Sequence, residues 1–216
     1  MIIGICGLIG SGKDTVADFL VNNYNYKKES FAAALKDAAS VVFNWDRNLL
    51  EGRTVEAREW REQVDAWWSK RLNIPHLTPR FILQNWGTEL FRGHFHDDIW
   101  IATVENKLRL TTDNIVITDC RFPNEIEAIR KLGGKIIRIK RGIDPDWYHV
   151  AEIVNARLVD NSFRENYKIL LENYKIHASE SSWAGTKFDL IIENNDTVEA
   201  LYSQIKNLAE GRLVSI

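Results

Sequence analysis

Apolar residues in this chain come in short unbroken runs, separated by longer stretches with helical period. Residues 2–6 (IIGIC), 114–118 (NIVIT), 135–140 (KIIRIK) and 188–192 (FDLII) are rich in Ile and too short for helices, which reads as buried strands. Between them, residues 13–22 put Val16, Phe19 and Leu20 on one helical face. Residues 32–43 and 54–72 form two further helical segments, the second rich in Glu, Arg and Trp. Thr78-Pro79 supplies a cap and a first-turn proline for a helix running to Arg92, and Asp97-Asp98 opens another through Trp100, Val104 and Leu108. A turn over residues 119–125 leads into a helix ending at Leu132, where Gly133-Gly134 stops it. Asp196-Thr197-Val198-Glu199 reads as an acidic capping box opening a last helix.

Strands alternating with helices predict an α/β fold with a parallel sheet covered by helices on both faces. Residues 142–185 break the alternation with polar stretches rich in Asn, Glu and Lys, and read as a lid-like insertion on the ligand edge of the sheet.

Composition narrows the function. The 216 residues are 45% hydrophobic, enough for one domain with a real core, and 27% charged. A net charge of −2 and a pI near 6.2 speak against a polynucleotide partner, but leave room for a small anion held by a few placed cations. Cys6 and Cys120 each end a predicted strand outside any metal-binding spacing and read as buried thiols in a reducing compartment. With no membrane-spanning run and no charged segment before residue 2, the expected location is the cytoplasm. His94 and His96 lack a third ligand at suitable spacing, so no zinc site is expected.

The chemistry concentrates at Gly7-Leu8-Ile9-Gly10-Ser11-Gly12-Lys13, a G-x-x-x-x-G-K loop between a strand and a helix. In such a P-loop, successive N–H groups and the positive end of the helix face phosphate oxygens. Gly10, Ser11, Gly12, Lys13, Asp14 and Thr15 are the expected ATP contacts, with Lys13 on the β- and γ-phosphates. The hydroxyl residue that usually follows the lysine is replaced by Asp14. Asp14 or Thr15 is therefore the expected metal ligand here.

With GKDTVADFL the chain resembles the phage deoxynucleoside monophosphate kinases, in which Asp-Thr follows the loop lysine. Three further stretches carry the resemblance: RFILQNWGTE from Arg80 followed by DIW from Asp98, ITDCRFPNEIEAIRKLGGKIIRIKR from Ile117, and HASE from His177 with FDLIIENNDTVEAL from Phe188. The similarity thins over residues 44–77 and 142–175. It implies a P-loop NTPase-like fold spanning residues 1–216 as one domain, with a monophosphate-binding helical region over about residues 32–112. It also implies Mg²⁺-dependent transfer of the γ-phosphoryl of ATP to a deoxynucleoside 5′-monophosphate, giving the diphosphate and ADP. Homodimers and a place in phage DNA synthesis in the host cytoplasm come with the resemblance.

Phosphoryl transfer needs two anions held in line and positive charge around the moving group. Lys36, Arg58, Arg80 and Arg121 are the candidate acceptor-side cations. The resemblance puts a lysine like Lys36 near the substrate phosphate. Arg80, Gln84 and Thr88 fall at i, i+4 and i+8, one α-helical face able to read phosphate, base edge and sugar, with Gly87 in the same stretch. Asp119 and Arg121 follow a strand end, where ligands bind in open parallel sheets. Asp119 would position the metal or act as base on the acceptor phosphate, Arg121 would bridge the two phosphates, and Glu125 would orient one of these groups. Trp100 is either core or a ring stacked on the nucleobase. Trp60, Trp67 and Trp68 read as core or dimer interface. Arg141 is the donor-side cation after the third run, and His177 reads as a hinge or adenine-side group.

Two other readings stay open. A dephospho-coenzyme A kinase has a similar loop, but normally a hydroxyl residue after the lysine and no RxxxQxxGT or RFPNE stretch. A non-catalytic ATP-binding regulatory protein would lack acceptor-side arginines. A kinase of nucleic-acid ends is disfavoured by the acidic pI.

Overall fold

A computed structural model describes residues 1–156 and 161–210. The chain divides into two compact units, one formed by residues 1–30 and 111–216, the other by Phe31–Leu110.

The first unit is built on a five-stranded parallel sheet: β1 (Ile2–Cys6), β2 (Tyr26–Glu29), β3 (Asn114–Ile117), β4 (Lys135–Lys140) and β5 (Leu190–Glu193), in the order β2-β3-β1-β4-β5. The central strand β1 pairs Gly4 with Ile117 on one side and with Ile136 on the other. Ile3 and Ile5 pack with Val116, Ile137 and Ile139 against α1 (Lys13–Tyr24) and α12 (Val198–Ala209), through Val16, Leu20, Leu201 and Ile205. The alternate residues face α8 (Pro123–Lys131). There a side chain on Gly4 would come within 2.7 Å of Ile129 and 2.9 Å of Cys120 Sγ, so α8 sits close only because residue 4 has none.

All four predicted strands form, and one sheet element escapes the apolar pattern. β2 is the edge strand, with the sequence YKKE, in which Tyr26 alone is buried. A four-residue edge with two lysines lacks the hydrophobic run that marks its neighbours. The last helix is capped by Thr197, whose hydroxyl accepts from Ala200 N at 3.3 Å. This corrects the expected box, since Ala200, not Glu199, occupies the third helical position. The expected insertion contains α9 (Asp146–Asn155), α10 (Asn161–Asn173) and the short α11 (Ala178–Ser181), and its residues 157–160 lie outside the described residues.

The second unit is helical: α2 (Ala33–Phe43), α3 (Arg47–Glu51), α4 (Val55–Glu62), α5 (Ala66–Leu72), α6 (Pro79–Gln84), a π-helix over Asn85–Phe95 and α7 (Ile99–Leu108). Its core joins Ala39, Phe43, Trp45, Leu50, Leu77 and Ile82, with Trp60 and Trp68 against it, while Trp67 is 63% exposed. The single helix expected over 54–72 is two, broken at Asp65. That carboxylate caps α5 by accepting from Trp68 N at 3.0 Å, and also accepts from Trp45 Nε1 at 2.9 Å. Its own N–H bonds Leu77 O at 2.9 Å, which takes residue 65 out of any helical ladder. The helix expected to reach Arg92 is α-helical only to Gln84. Beyond it the ladder widens, as His96 N bonding Phe91 O at 2.8 Å shows.

Candidate active site

The parallel order explains which residues meet. The connection leaving β1 enters α1 on one face of the sheet, and that leaving β3 enters α8 on the other. A crevice opens between two such strand ends, at their carboxyl edge. The phosphate loop follows β1 and Asp119-Cys120-Arg121 follows β3, and these strands are hydrogen-bonded neighbours. One pocket in the first unit is lined by Gly7, Lys13, Asp119, Arg121 and Glu180.

The loop is held from three directions. Ser11 N bonds Leu8 O at 3.2 Å, and the Lys13 ammonium donates to Gly7 O and Leu8 O, each at 2.7 Å. From the end of β5, Asn194 Nδ2 donates to Ser11 O at 2.8 Å. Gly12 caps α1 at φ 101°, a conformation that side chains rarely adopt, and a methyl there would lie 2.5 Å from Asn194 Nδ2. The Ser11 hydroxyl is buried and has no partner among the described residues, an unmet hydrogen-bonding group inside a phosphate-binding loop. Burial, then the Arg121 charge, bring the Lys13 ammonium down to about 8, against the pull of Glu180 and Asp14. Burial lifts the Cys6 thiol to about 12 and the Cys120 thiol well above its usual value, so both thiols of the β1 and β3 ends stay protonated.

The second strand end is equally constrained. Ser30 Oγ donates to Asp119 Oδ2 at 2.7 Å. The buried Glu125 carboxylate accepts from the N–H groups of Arg121 and Phe122, at 2.8 and 3.0 Å, and so fixes the backbone that carries the arginine. The Arg121 guanidinium pairs with Glu180 Oε1 at 3.0 Å.

Asp14, in the first turn of α1, has a side chain 67% exposed and within 2.5 Å of Lys28 Nζ; Thr15 beside it is half-buried. Among the described residues no group of three or more His, Cys, Asp or Glu side chains could hold a metal by itself. A magnesium ion that takes most of its ligands from phosphates and water needs only one or two carboxylates. The candidate carboxylates are Asp14, directly after the loop lysine and paired with Lys28, and Asp119, which lines the pocket and accepts from Ser30. Arg141, just past β4, is exposed, whereas Arg138 is buried: it pairs with Asp144 and lies 4.2 Å from the centre of the Tyr148 ring.

Of the residues expected on the acceptor side, all but Arg121 belong to the second unit. Lys36 pairs with Glu51 at 2.9 Å, and Arg80 with Glu62 at 3.2 Å. Arg58 is exposed, and Gln84 and Thr88 are half-buried. Because the ladder widens after Gln84, the step from 84 to 88 is less than one turn, and the three-residue stripe is skewed. Trp100 is 8% exposed and donates Nε1 to Gly87 O at 2.8 Å, an interior position that fits the core alternative. Lys28, Ser30, Glu180 and Asn194 receive no role in the sequence. Lys28 lies in β2, Ser30 and Asn194 directly follow β2 and β5, and Glu180 sits in the insertion. Glu180 and Asn194 fall in stretches that carry the resemblance, and no motif marks Lys28 or Ser30.

Residues 62–153 match the family described as deoxynucleotide monophosphate kinase. A putative deoxynucleotide monophosphate kinase of Acanthamoeba polyphaga mimivirus is 29% identical over 95% of this chain and 94% of its own length. The deoxynucleoside-5′-monophosphate kinase of Escherichia phage T5 is 30% identical over 61% of this chain and 72% of its own. The deoxynucleotide monophosphate kinase of Enterobacteria phage T4 is 20% identical over 95% of this chain and 97% of its own.

Proposed function

The chain belongs to the deoxynucleoside monophosphate kinase family, and from that premise we propose that it transfers the γ-phosphoryl of ATP to a deoxynucleoside 5′-monophosphate, releasing ADP and the diphosphate. The observation that carries this reading is one pocket bringing Lys13, Asp119 and Arg121 together beyond the ends of β1 and β3.

In this reading the loop N–H groups and Lys13 hold the β- and γ-phosphates of ATP, with Gly10, Ser11, Gly12 and Thr15 in contact and Arg141 on the donor side. Arg121 spans donor and acceptor phosphates, where its planar fork meets oxygens of both, and Glu125 fixes the backbone that carries it. Asp119, steadied by Ser30, orients the attacking oxygen. Lys36, Arg58, Arg80, Gln84, Gly87 and Thr88 bind the monophosphate, and Trp100 supports that surface through Gly87 O. Asp14 or Thr15, together with Asp119, would hold a magnesium ion, which would supply charge neutralisation on the phosphates. No helix among the described residues is long and apolar enough to cross a membrane. The reading places the enzyme in the host cytoplasm, as a homodimer supplying phage DNA synthesis.

The test is ADP release from ATP and Mg²⁺ with each deoxy- and ribonucleoside monophosphate in turn. Turnover with deoxy substrates and little with ribose ones is expected. If no monophosphate accelerates ADP release, the proposed reaction is wrong. Sedimentation of the full chain at two concentrations decides between dimer and monomer.

A further inference from the structure

In the sequence His177 reads as a hinge or adenine-side group and Glu180 has no role, yet the structure pairs the Glu180 carboxylate with Arg121. Glu180 Oε1 lies 3.0 Å from Arg121 Nη1, and Ser179 Oγ lies 3.4 Å from the same nitrogen. Glu180, Lys13, Asp119 and Arg121 line one pocket.

The turn that carries this carboxylate is well anchored. His177 caps it, with Nδ1 2.8 Å from Ser179 Oγ and 3.2 Å from Ser179 N. Asn155 Nδ2 donates to Ser181 O and Ala184 O, both at 2.9 Å, and Trp183 beneath is fully buried. The Arg121 side chain, by contrast, is 42% exposed. Its backbone is fixed by Glu125, but a guanidinium at the end of several rotatable bonds is not placed by its backbone. It also shares the pocket with another cation, Lys13, which repels it. The anion that faces it from the anchored turn offsets that repulsion and selects the rotamer.

We infer that Glu180 is a positioning residue for the phosphoryl transfer proposed above: its carboxylate holds the Arg121 guanidinium beside the phosphate loop, so that the bridging cation is in place before the phosphates enter. The inference rests on that reading of the reaction. It assigns Glu180 an action through Arg121 and no contact with the reacting atoms.

The test is a double-mutant cycle in the full chain: wild type, Glu180→Gln, Arg121→Gln and the double variant. Monophosphate-dependent ADP release gives kcat, and calorimetry gives ADP affinity. Glu180→Gln should lower kcat roughly tenfold, because a loosely held catalytic group loses its near-attack geometry. ADP affinity should stay within about twofold of wild type, and in the Arg121→Gln background the same substitution should change kcat by no more than about twofold. An unchanged kcat, an equal loss in the Arg121→Gln background, or ADP affinity falling in step with kcat would each overturn the inference. If Glu180→Gln melts too early to assay, Glu180→Asp, which keeps the charge but withdraws it by one methylene, takes its place in the cycle with the same criteria. A readout free of turnover separates this inference from the reading beneath it. The Arg121 Nε–Hε resonance should be resolved and slowly exchanging in wild type and solvent-averaged in Glu180→Gln. An equally protected resonance in both proteins refutes the positioning role even if the substrate assignment is wrong, whereas loss of protection in a protein inactive on every monophosphate leaves the positioning intact and rejects the reaction.

Discussion

Lys28, on the edge strand β2, reaches to 2.5 Å from the carboxylate of Asp14, the residue that stands directly after the loop lysine. Two residues fourteen apart thus share a charge at the mouth of the phosphate loop. An anion there would otherwise repel the phosphates, and the ammonium offsets it. Replacing Lys28 by Met should weaken ADP binding several-fold in the absence of Mg²⁺ and less in its presence, where the ion supplies the missing positive charge. Calorimetry with and without chelator measures both values, and equal losses in the two conditions would remove Lys28 from the site.

Asp14→Ser restores the hydroxyl usual at this position. The expected outcome is turnover within about an order of magnitude of wild type, with the half-saturating Mg²⁺ concentration moved upward because a hydroxyl binds the ion less strongly than a carboxylate. A Mg²⁺ titration of turnover reads this directly.

Arg121→Lys keeps the charge and loses the fork. If Arg121 bridges two phosphates, kcat should fall by about two orders of magnitude or more, while ADP binding stays close to wild type. Full turnover in this variant would take Arg121 out of the mechanism.

In the second unit, Glu51 receives Lys36 at 2.9 Å and Arg47 at 2.5 Å. Burial alone would raise its carboxyl, but the two cations overcome it and bring it down to about 2. A depressed carboxylate stabilises the fold above its ordinary value near 4.5, and that contribution is lost as pH falls toward 2. Glu51→Gln should therefore cost about 1 kcal/mol at pH 7, a figure kept small because the network is half open to solvent. Urea melts at pH 7 and in acid should show the gap between wild type and variant narrowing as Glu51 protonates.

Arg138 is a buried cation of the first unit, closed in by Asp144, Tyr148 and Trp183. Arg138→Met should destabilise the protein by about 3 kcal/mol in denaturant melts, since it empties a cation–aromatic stack and leaves Asp144 with Lys140 alone, 4.0 Å away.

What the sequence revealed, and what it hid, divides by distance along the chain. IIGIC, NIVIT and KIIRIK announce their strands because burial on both faces leaves short apolar runs, interrupted in mid-strand by Arg138 alone. The phosphate loop and the Asp119–Arg121 turn are legible because a parallel sheet puts its ligand edge at strand ends. Their partners are not: Lys28 meets Asp14, Ser30 meets Asp119 and Glu180 meets Arg121 only after folding, and a lysine, serine or glutamate on a polar stretch looks the same with or without a partner. The break at Asp65 and the widened turn after Gln84 escaped for a related reason. A helix-compatible period continues through both, and what interrupts it is a set of hydrogen bonds to Leu77, Trp45 and Trp100.

The strand order also governs how this chain is made. Strand β1 leaves the ribosome first but lies at the centre of the sheet, and its partners are residues 115–117 and 135–138. No ladder can close around it until residues 115–117 are made, whereas Phe31–Leu110 is an unbroken segment whose core residues, Ala39 to Ile82, are all made before them. Nascent chains stopped short of residue 115 should protect the helical segment from protease while IIGIC stays bare, a sticky leader waiting for strands not yet translated.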